Sequence, residues 1–409
     1  GKVLRLTLNR LAGGSQVQLC EWEIRHQLKL EQPLITNCLS YSMSWSTEPY
    51  NYYALQYSTN LAVWTSVVCS MPRTAAMTNG VVVLPGSGLA AYRLRQFPQG
   101  SSDMPFVTKN VLVINYDPIL TNHGGVRLHQ YMNWGDPHEL TTQYLTDLTE
   151  VSSNYVRWVP TFVDVNAWPV KADGFVYDET SYLSGSFHSP DNVNYERIIQ
   201  DFDLDNRVKA GEVDEVVLWG GPYFGFYESQ MVGATAYWCN SPAIIHAGVP
   251  LYVIMGLNYE RGGDCALESF GHRSESILSH VYGWPSGGTT ILHLWDRFTK
   301  ITRDAPGSAA CGNVHFPPNG MSDYDYGNST TVKCYADDWL LNYPKFKSAN
   351  RMLNAAEWNY DHRLYLKWWF AHMPHKPDRY VDTGNTINNG KLNNWWGYLA
   401  DFNFYTESH

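Results

Sequence analysis

No apolar run in this chain approaches the roughly 20 residues needed to span a bilayer, so no membrane span is expected. Clustered lysine and arginine are also missing. With 29 Lys and Arg against 39 Asp and Glu, the formal net charge is −10, the opposite of the basic face that phosphate binding requires, which argues against nucleic acid as a partner. The seven cysteines include no CxxC pair, excluding zinc ribbons and thioredoxin-like redox motifs. No GxSxG elbow is present, and Gly86-Ser87-Gly88 falls in the N-terminal part of the chain, so serine-nucleophile chemistry has no support. Neither a GxGxxG fingerprint nor a P-loop follows the first strand of the larger part, which weighs against a nucleotide cofactor. The zinc-protease signature HExxH is absent, because His138-Glu139 is followed by Leu140, Thr141 and Thr142. The opening Gly1-Lys2-Val3 is neither a signal peptide nor an initiator methionine and predicts a processed or trimmed chain.

What is present describes a globular protein. The 409 residues exceed one ordinary single-core domain, and 44% apolar with 17% charged residues is the balance of a folded chain. Aromatic residues reach 14%, with 28 Tyr and 16 Trp. Such side chains form platforms for sugar rings in secreted glycan-active proteins, and they equally serve as bulk in a large core. Three cysteines come early (Cys20, Cys38, Cys69) and four late (Cys239, Cys265, Cys311, Cys334). In an exported protein the late four are expected to form two disulfides, leaving one early thiol unpaired.

Residues 1–100 alternate apolar and polar side chains at the two-residue period of strands, as in Val3–Leu8, Gln16–Ile24 and Tyr52–Ser58. Turn residues separate them at Gly13-Gly14, Glu48-Pro49, Asn79-Gly80 and Pro85–Gly88, which predicts an all-β antiparallel sandwich. Within it, Tyr57-Ser58-Thr59-Asn60-Leu61, Trp64 and the later Tyr92-Arg93-Leu94-Arg95 resemble the YSTNL..W and YRLR pattern of β-sandwich accessory modules carried by secreted bacterial proteins. The resemblance covers about the second half of this region. It implies a fibronectin- or immunoglobulin-like fold and an extracellular location, and no chemistry. Gly100–Asp103 reads as the linker to a second domain spanning 105–409.

In that domain the pattern becomes strand, helix, strand. Val111–Pro118 is a continuous apolar run, Asp136-Pro137 reads as an N-cap with proline at the first helical position, and Tyr155–Val165 is strand-like. A helix over about 194–206, a strand over Asp214–Gly221, a strand over Leu251–Met255 and a helix from Asp264 follow. This alternation predicts an α/β domain with a mostly parallel sheet, a doubly wound open sheet first and a distorted β/α barrel as the alternative. From Asn313 onward the chain is aromatic and loop-rich, with one amphipathic helix over about Asp361–His372 stopping before Pro374, and this region is expected to cap the strand ends and to form a cleft wall.

Ligands of such folds sit at the carboxyl ends of strands. Thirteen of the 14 histidines lie beyond residue 120, so titratable chemistry is expected in the second domain. Two arrangements compete there. The first is carboxylate acid–base catalysis by a secreted hydrolase of a glycan or related extracellular polymer. Glu228, among Tyr223, Phe226 and Tyr227, is the expected acid with a raised pKa, and Asp117 or Glu260 its partner. Tyr223, Tyr227, Asn258, Arg261 and His123 would bind the substrate, and His315 is a further catalytic candidate. The bland alternative for Glu228 is a carboxylate bonded to backbone amides in a tight loop.

The second arrangement is a metal-dependent peptidase or amidase. Glu268, His272 and Glu275 are spaced i, i+4, i+7, within roughly 60° of arc on one helical stripe, a mixed oxygen and nitrogen set suited to zinc. A second imidazole, His123 or His315, would complete it. The bland alternative is a solvated face beside the apolar stripe of Leu267, Phe270, Ile277, Leu278 and Val281. Asp323, Asp325, Asp337 and Asp338 offer oxygen ligands for calcium without matching an EF-hand, and a solvated loop explains them as well. Cys265, at a helix start near His272, is either a thiol of lowered pKa or a disulfide partner. A third class, a non-catalytic surface or adhesion protein, needs only the aromatic cleft. The segments Gly220–Ser229 and Phe270–Ser276 resemble secreted proteins with no assigned activity, which implies no mechanism.

Overall fold

The computed structural model describes residues 107–380 and 391–405, together with strand segments at 4–7, 16–17, 35–36, 40–46, 52–58, 64–70, 77–83 and 91–97. The chain divides into two compact units, Gly1–Thr108 and Lys109–His409.

In the first unit, Leu4–Thr7, Ser40–Ser46 and Met77–Val83 form one three-stranded sheet, and Thr65–Ser70, Tyr52–Ser58 and Ala91–Phe97 form another. All their pairings are antiparallel. Trp64 and Arg93 are in contact: the Arg93 guanidinium lies 4.2 Å from the Trp64 ring centre, and its Nε donates to Gln56 at 2.8 Å. Asn79-Gly80 is not a turn. Both residues sit within Met77–Val83, opposite Ser44 and Met43, because the β-branched run after Gly80 extends the strand through the pair. The expected turns at Gly13-Gly14, Glu48-Pro49 and Pro85–Gly88, the linker at Gly100–Asp103, and Cys20 and Cys38 lie outside the described residues.

The second unit is an α/β domain. Its mixed six-stranded sheet is built from β1 (Val107–Tyr116), β2 (Val156–Val165), β3 (Glu215–Gly220), β4 (Ser229–Gly233), β5 (Ile244–Ile245) and β6 (Tyr252–Asn258) in the order β2-β1-β3-β6-β4-β5. Strands β1, β3 and β6 run parallel, so their carboxyl ends, Tyr116, Gly220 and Asn258, share one edge. The strand β4 breaks the alternation by pairing antiparallel with β6. Its residues fall where the sequence pattern places no strand. They are wholly buried, and Ser229 and Gln230 satisfy themselves locally, through Cys239 and Pro242 carbonyls and Ser241.

Register shows which side chains face which layer. Trp219 lies beside Asn115 and Leu257, and its Nε1 donates at 2.7 Å to Thr141 on helix α1 (Pro137–Val151). Alternate residues face the other way. There Tyr116 meets Phe202 edge-on at 6.4 Å, and Tyr252 donates to Asp205 at 3.0 Å. Helices therefore cover both faces. The expected single helix over 194–206 is two, Tyr195–Asp201 and Leu204–Lys209, divided at Asp203, whose φ of 50° ends the first.

Helix α1 begins as its sequence requires: Asp136 accepts from the His138 and Glu139 amides, and Pro137 opens the first turn. Helix α2 (Gly263–Tyr282) packs between the sheet and helix α3 (His362–Ala371). Its position is fixed by Arg273, 1% exposed, which pairs with Glu215 at the start of β3 and donates to the Leu399 carbonyl at 3.0 Å. In the C-terminal part, α3 and α4 (Trp396–Ala400) both lie on α2. Cys239, Cys265, Cys311 and Cys334 are all free, so the two disulfides expected of the late cysteines are not formed. No helix among the described residues is long and apolar enough to cross a membrane.

Candidate metal centre and adjoining cleft

The stripe on α2 is not a solvated face. Glu268 is buried, and His272 and Glu275 are half-buried, because the segment from Asn313 to Tyr326 lies over them. Two features hold that segment close. Gly271 lacks a side chain where it meets Val314, and a Cβ there would stand 2.6 Å from a Val314 methyl. The Glu275 carboxylate also accepts from the Val314 amide at 3.1 Å. Asn313 then folds the next turn, its Oδ1 accepting from the His315 and Phe316 amides at 3.1 and 3.0 Å.

His315 is thereby brought onto the stripe. Its Nε2 lies 2.9 Å from the Nε2 of His272 and 3.1 Å from Oε1 of Glu268, with His272 Nε2 3.9 Å from that oxygen. Behind each ring stands a carboxylate. Glu275 lies 3.0 Å from Nδ1 of His272, and Asp323 lies 3.0 Å from Nδ1 of His315. An ionised carboxylate only accepts, so each Nδ1 carries the proton, and a neutral ring then presents a lone pair at Nε2. Two nitrogen lone pairs and a carboxylate oxygen consequently face one another, an arrangement that requires a cation between them.

Without a metal that cation is the proton. Burial opposes charge on His272, but Glu268 and Glu275 outweigh it and raise the ring to about 10. Glu268 raises His315 as well. Burial likewise opposes ionisation of Glu268, yet hydrogen bonds from His272, His315 and Tyr324 hold its carboxyl far below the usual range. A metal fits the same atoms. Two imidazoles and a carboxylate are a zinc-type donor set, and bonds of about 2.0–2.1 Å in tetrahedral geometry separate donors by about 3.3 Å, midway among the distances observed. The carboxylate behind each imidazole is the usual second layer of such centres. Glu268, His272 and His315 are the one such group of three among the described residues.

A third histidine approaches the other oxygen of Glu268. His362, at the start of α3, lies 3.5 Å from Oε2 through its Nε2, with its Nδ1 3.3 Å from Asp264. Tyr326 stacks on its ring at 4.3 Å, and its buried Nε2 has no hydrogen-bond partner. Tyr324 completes the surroundings by donating to Glu268 Oε1 at 3.0 Å.

Glu268 also lines a cleft of about 170 Å³ at the carboxyl ends of β3 and β6, together with Glu228, Tyr223, Asn258, Arg261 and Cys265. Glu228 accepts from the Asn240 side chain, and its charge helps to raise the pKa of His272. The remaining candidates lie elsewhere. Asp117 is buried and turned to His129, 2.6 Å from its Nδ1 and bonded to its amide. Glu260 is exposed, and Tyr227 accepts from Asn192 at 2.8 Å. His123 pairs with Glu179 at the surface. None of these four lines the cleft.

The four aspartates considered for calcium serve separate purposes. Asp323 backs His315, and Asp325 accepts from the Met321 amide. Asp337 pairs with Arg351, and Asp338 caps the Lys347 and Ser348 amides. The Cys265 thiol is pushed up to about 11 by burial and by Asp264 and Glu268, the reverse of an activated thiol. Sequence reasoning missed His362, Tyr324, Asn240 and the service of Asp323 to His315. The Asp361-His362 helix start was the one local signal available. Compared with known proteins, the chain matches no family model, no curated protein and no solved structure.

Proposed function

We propose that Glu268, His272 and His315 hold a divalent, zinc-like ion, and that the protein is a metal-dependent hydrolase of acyl bonds of the amide or ester class. The observation that carries this reading is the 2.9 Å approach of two imidazole Nε2 atoms, each with its Nδ1 committed to a carboxylate. An ion held there would polarise a scissile carbonyl and make bound water a nucleophile at neutral pH. Glu228 is the proposed general base. It takes the proton of the attacking water and returns it to the leaving nitrogen or oxygen as the bond to the acyl carbon breaks, and the acyl group departs as a carboxylate. Asn258 and Arg261 line the same cleft and are the proposed groups that orient the substrate. Elemental analysis tests the centre directly: about one equivalent of metal is expected, and it should be lost in His272→Ala and His315→Ala. Folded protein prepared with zinc present and holding no stoichiometric metal would rule the reading out. Glu228→Gln should keep the metal and lose turnover.

A second reading, a glycoside hydrolase using two carboxylates, draws on the sharing of one cleft by Glu228 and Glu268. Against it, Glu268 Oε1 is already engaged by Tyr324 and His315. Cleavage of a glycosidic bond by metal-free protein would favour it. On the resemblance of the N-terminal motif we also propose that the first unit is a fibronectin- or immunoglobulin-like sandwich serving as an accessory module, and that the protein acts outside the cell on an extracellular polymer.

A further inference from the structure

Tyr223 stands at the rim of the cleft and is 49% exposed, and Phe187, 40% exposed, stacks on it with ring centres 3.6 Å apart and planes 12° from parallel. Two large aromatic rings stacked face to face and each still well exposed to water is an arrangement that folding alone does not favour. Nor is it a loose surface. Tyr223 has φ of 61°, a conformation that bulky residues avoid and that persists where the surroundings impose it, commonly at ligand sites.

The surroundings that impose it are built in. Lys171 is wholly buried, and its ammonium donates to the Tyr223 carbonyl at 2.5 Å and to the backbone and side chain of Asp191, each at 2.7 Å. Those three acceptors take the three donors of the ammonium. Tyr182 donates to the Pro222 carbonyl at 2.9 Å, and the Gly225 carbonyl accepts from the Val193 amide at 3.0 Å. Gly225 fits only because it has no Cβ, which would lie 1.8 Å from the Asp191 carbonyl. The loop is thus fixed on both sides of Tyr223, and the ring is held out rather than left out.

We propose that Tyr223 and Phe187 form a stacking platform for a pyranose ring, so that the substrate of the cleft is an acylated glycan. A pyranose pairs an apolar C–H face with a rim of hydroxyl groups. Because the two rings cover one face of each other, the remaining face of Tyr223, backed by Phe187, supplies the flat apolar partner, and Asp191, Asn258 and Arg261, which line the same cleft, supply hydrogen-bonding groups. A nucleic-acid strand, whose bases are the other common stacking ligand, would bring phosphate to a chain of net charge −10. The acyl assignment rests on the hydrolase reading above; the binding of the sugar ring does not.

Calorimetric titration with hexa-N-acetylchitohexaose and with cellohexaose, on protein whose metal content has been measured, tests the platform. Saturable binding of at least one oligosaccharide is expected, and it should survive removal of metal by chelation. Tyr223→Gly, which suits the left-handed backbone and leaves the loop unstrained, should weaken that binding about tenfold or more, whereas Tyr223→Trp should stay within about threefold of wild type. Absence of binding to both sugars, or equal binding by Tyr223→Gly, overturns the platform even if the protein carries its metal. Binding by a protein that takes up no metal upholds the platform and sinks only the hydrolase reading.

Discussion

A histidine ring has two nitrogens, and what holds one decides what the other can do. At His272 and His315 the Nδ1 atoms are occupied by Glu275 and Asp323, so these two acids should matter to an ion they do not touch. Glu275→Gln and Asp323→Asn are each expected to weaken zinc affinity by about 10–100-fold in competition with a chelator, while the fold, read by circular dichroism, stays intact. Acid should oppose loading. His272 is raised to about 10 in the metal-free protein, so zinc must displace a proton at neutral pH, and affinity should climb with pH up to about that value. The metal-free protein should behave in the opposite sense. Stability from a raised histidine is fully present below its ordinary pKa of about 6.5 and is lost as pH rises through the folded value. Thermal melts of chelated protein should therefore fall between about pH 6.5 and 10 less steeply in His272→Gln than in wild type.

At the scale of elements, closeness between α2 and the 313–326 segment creates the centre, and Gly271 permits that closeness. Gly271→Ala would place a methyl group 2.6 Å from Val314, one residue from each histidine in sequence. Zinc affinity is expected to drop although no ligand has changed, and the crystal structure of the variant should show a widened gap between the Nε2 atoms. Helices and strands were largely legible in the sequence because their signals are local: the Asp136-Pro137 start of α1, the apolar run of β6 and the stop of α3 before Pro374 all appear where the pattern puts them. Strand β4 was not, since Ser229 and Gln230 look like loop residues and are satisfied by partners about a dozen positions away. In the same way the spacing of Glu268, His272 and Glu275 revealed a stripe but not its orientation. His315 and His362 come from segments that no helical period connects to it, and only the packing of α2 against those segments brings the five side chains to one place.

Over the whole molecule, titration and cross-linking act together. His372 is buried, and burial pushes its pKa down, so the folded state refuses a proton that the unfolded chain accepts below about pH 6.5. Stability should consequently fall as pH drops below that value toward the folded pKa, and a His372→Gln variant should lose that part of the acid sensitivity in thermal melts. Toward alkaline pH, the described cysteines of the large unit offer no disulfide to compensate. The pairing of His272 with His315 spans 43 positions of chain. An ion gripping both would close that loop reversibly, restricting the unfolded chain much as a disulfide does, with a strength that depends on free metal instead of redox potential. At about 100 times its dissociation constant, zinc would add about 2.7 kcal/mol. The protein would then be a clasp whose resistance to heat and proteolysis reports the metal content of its surroundings.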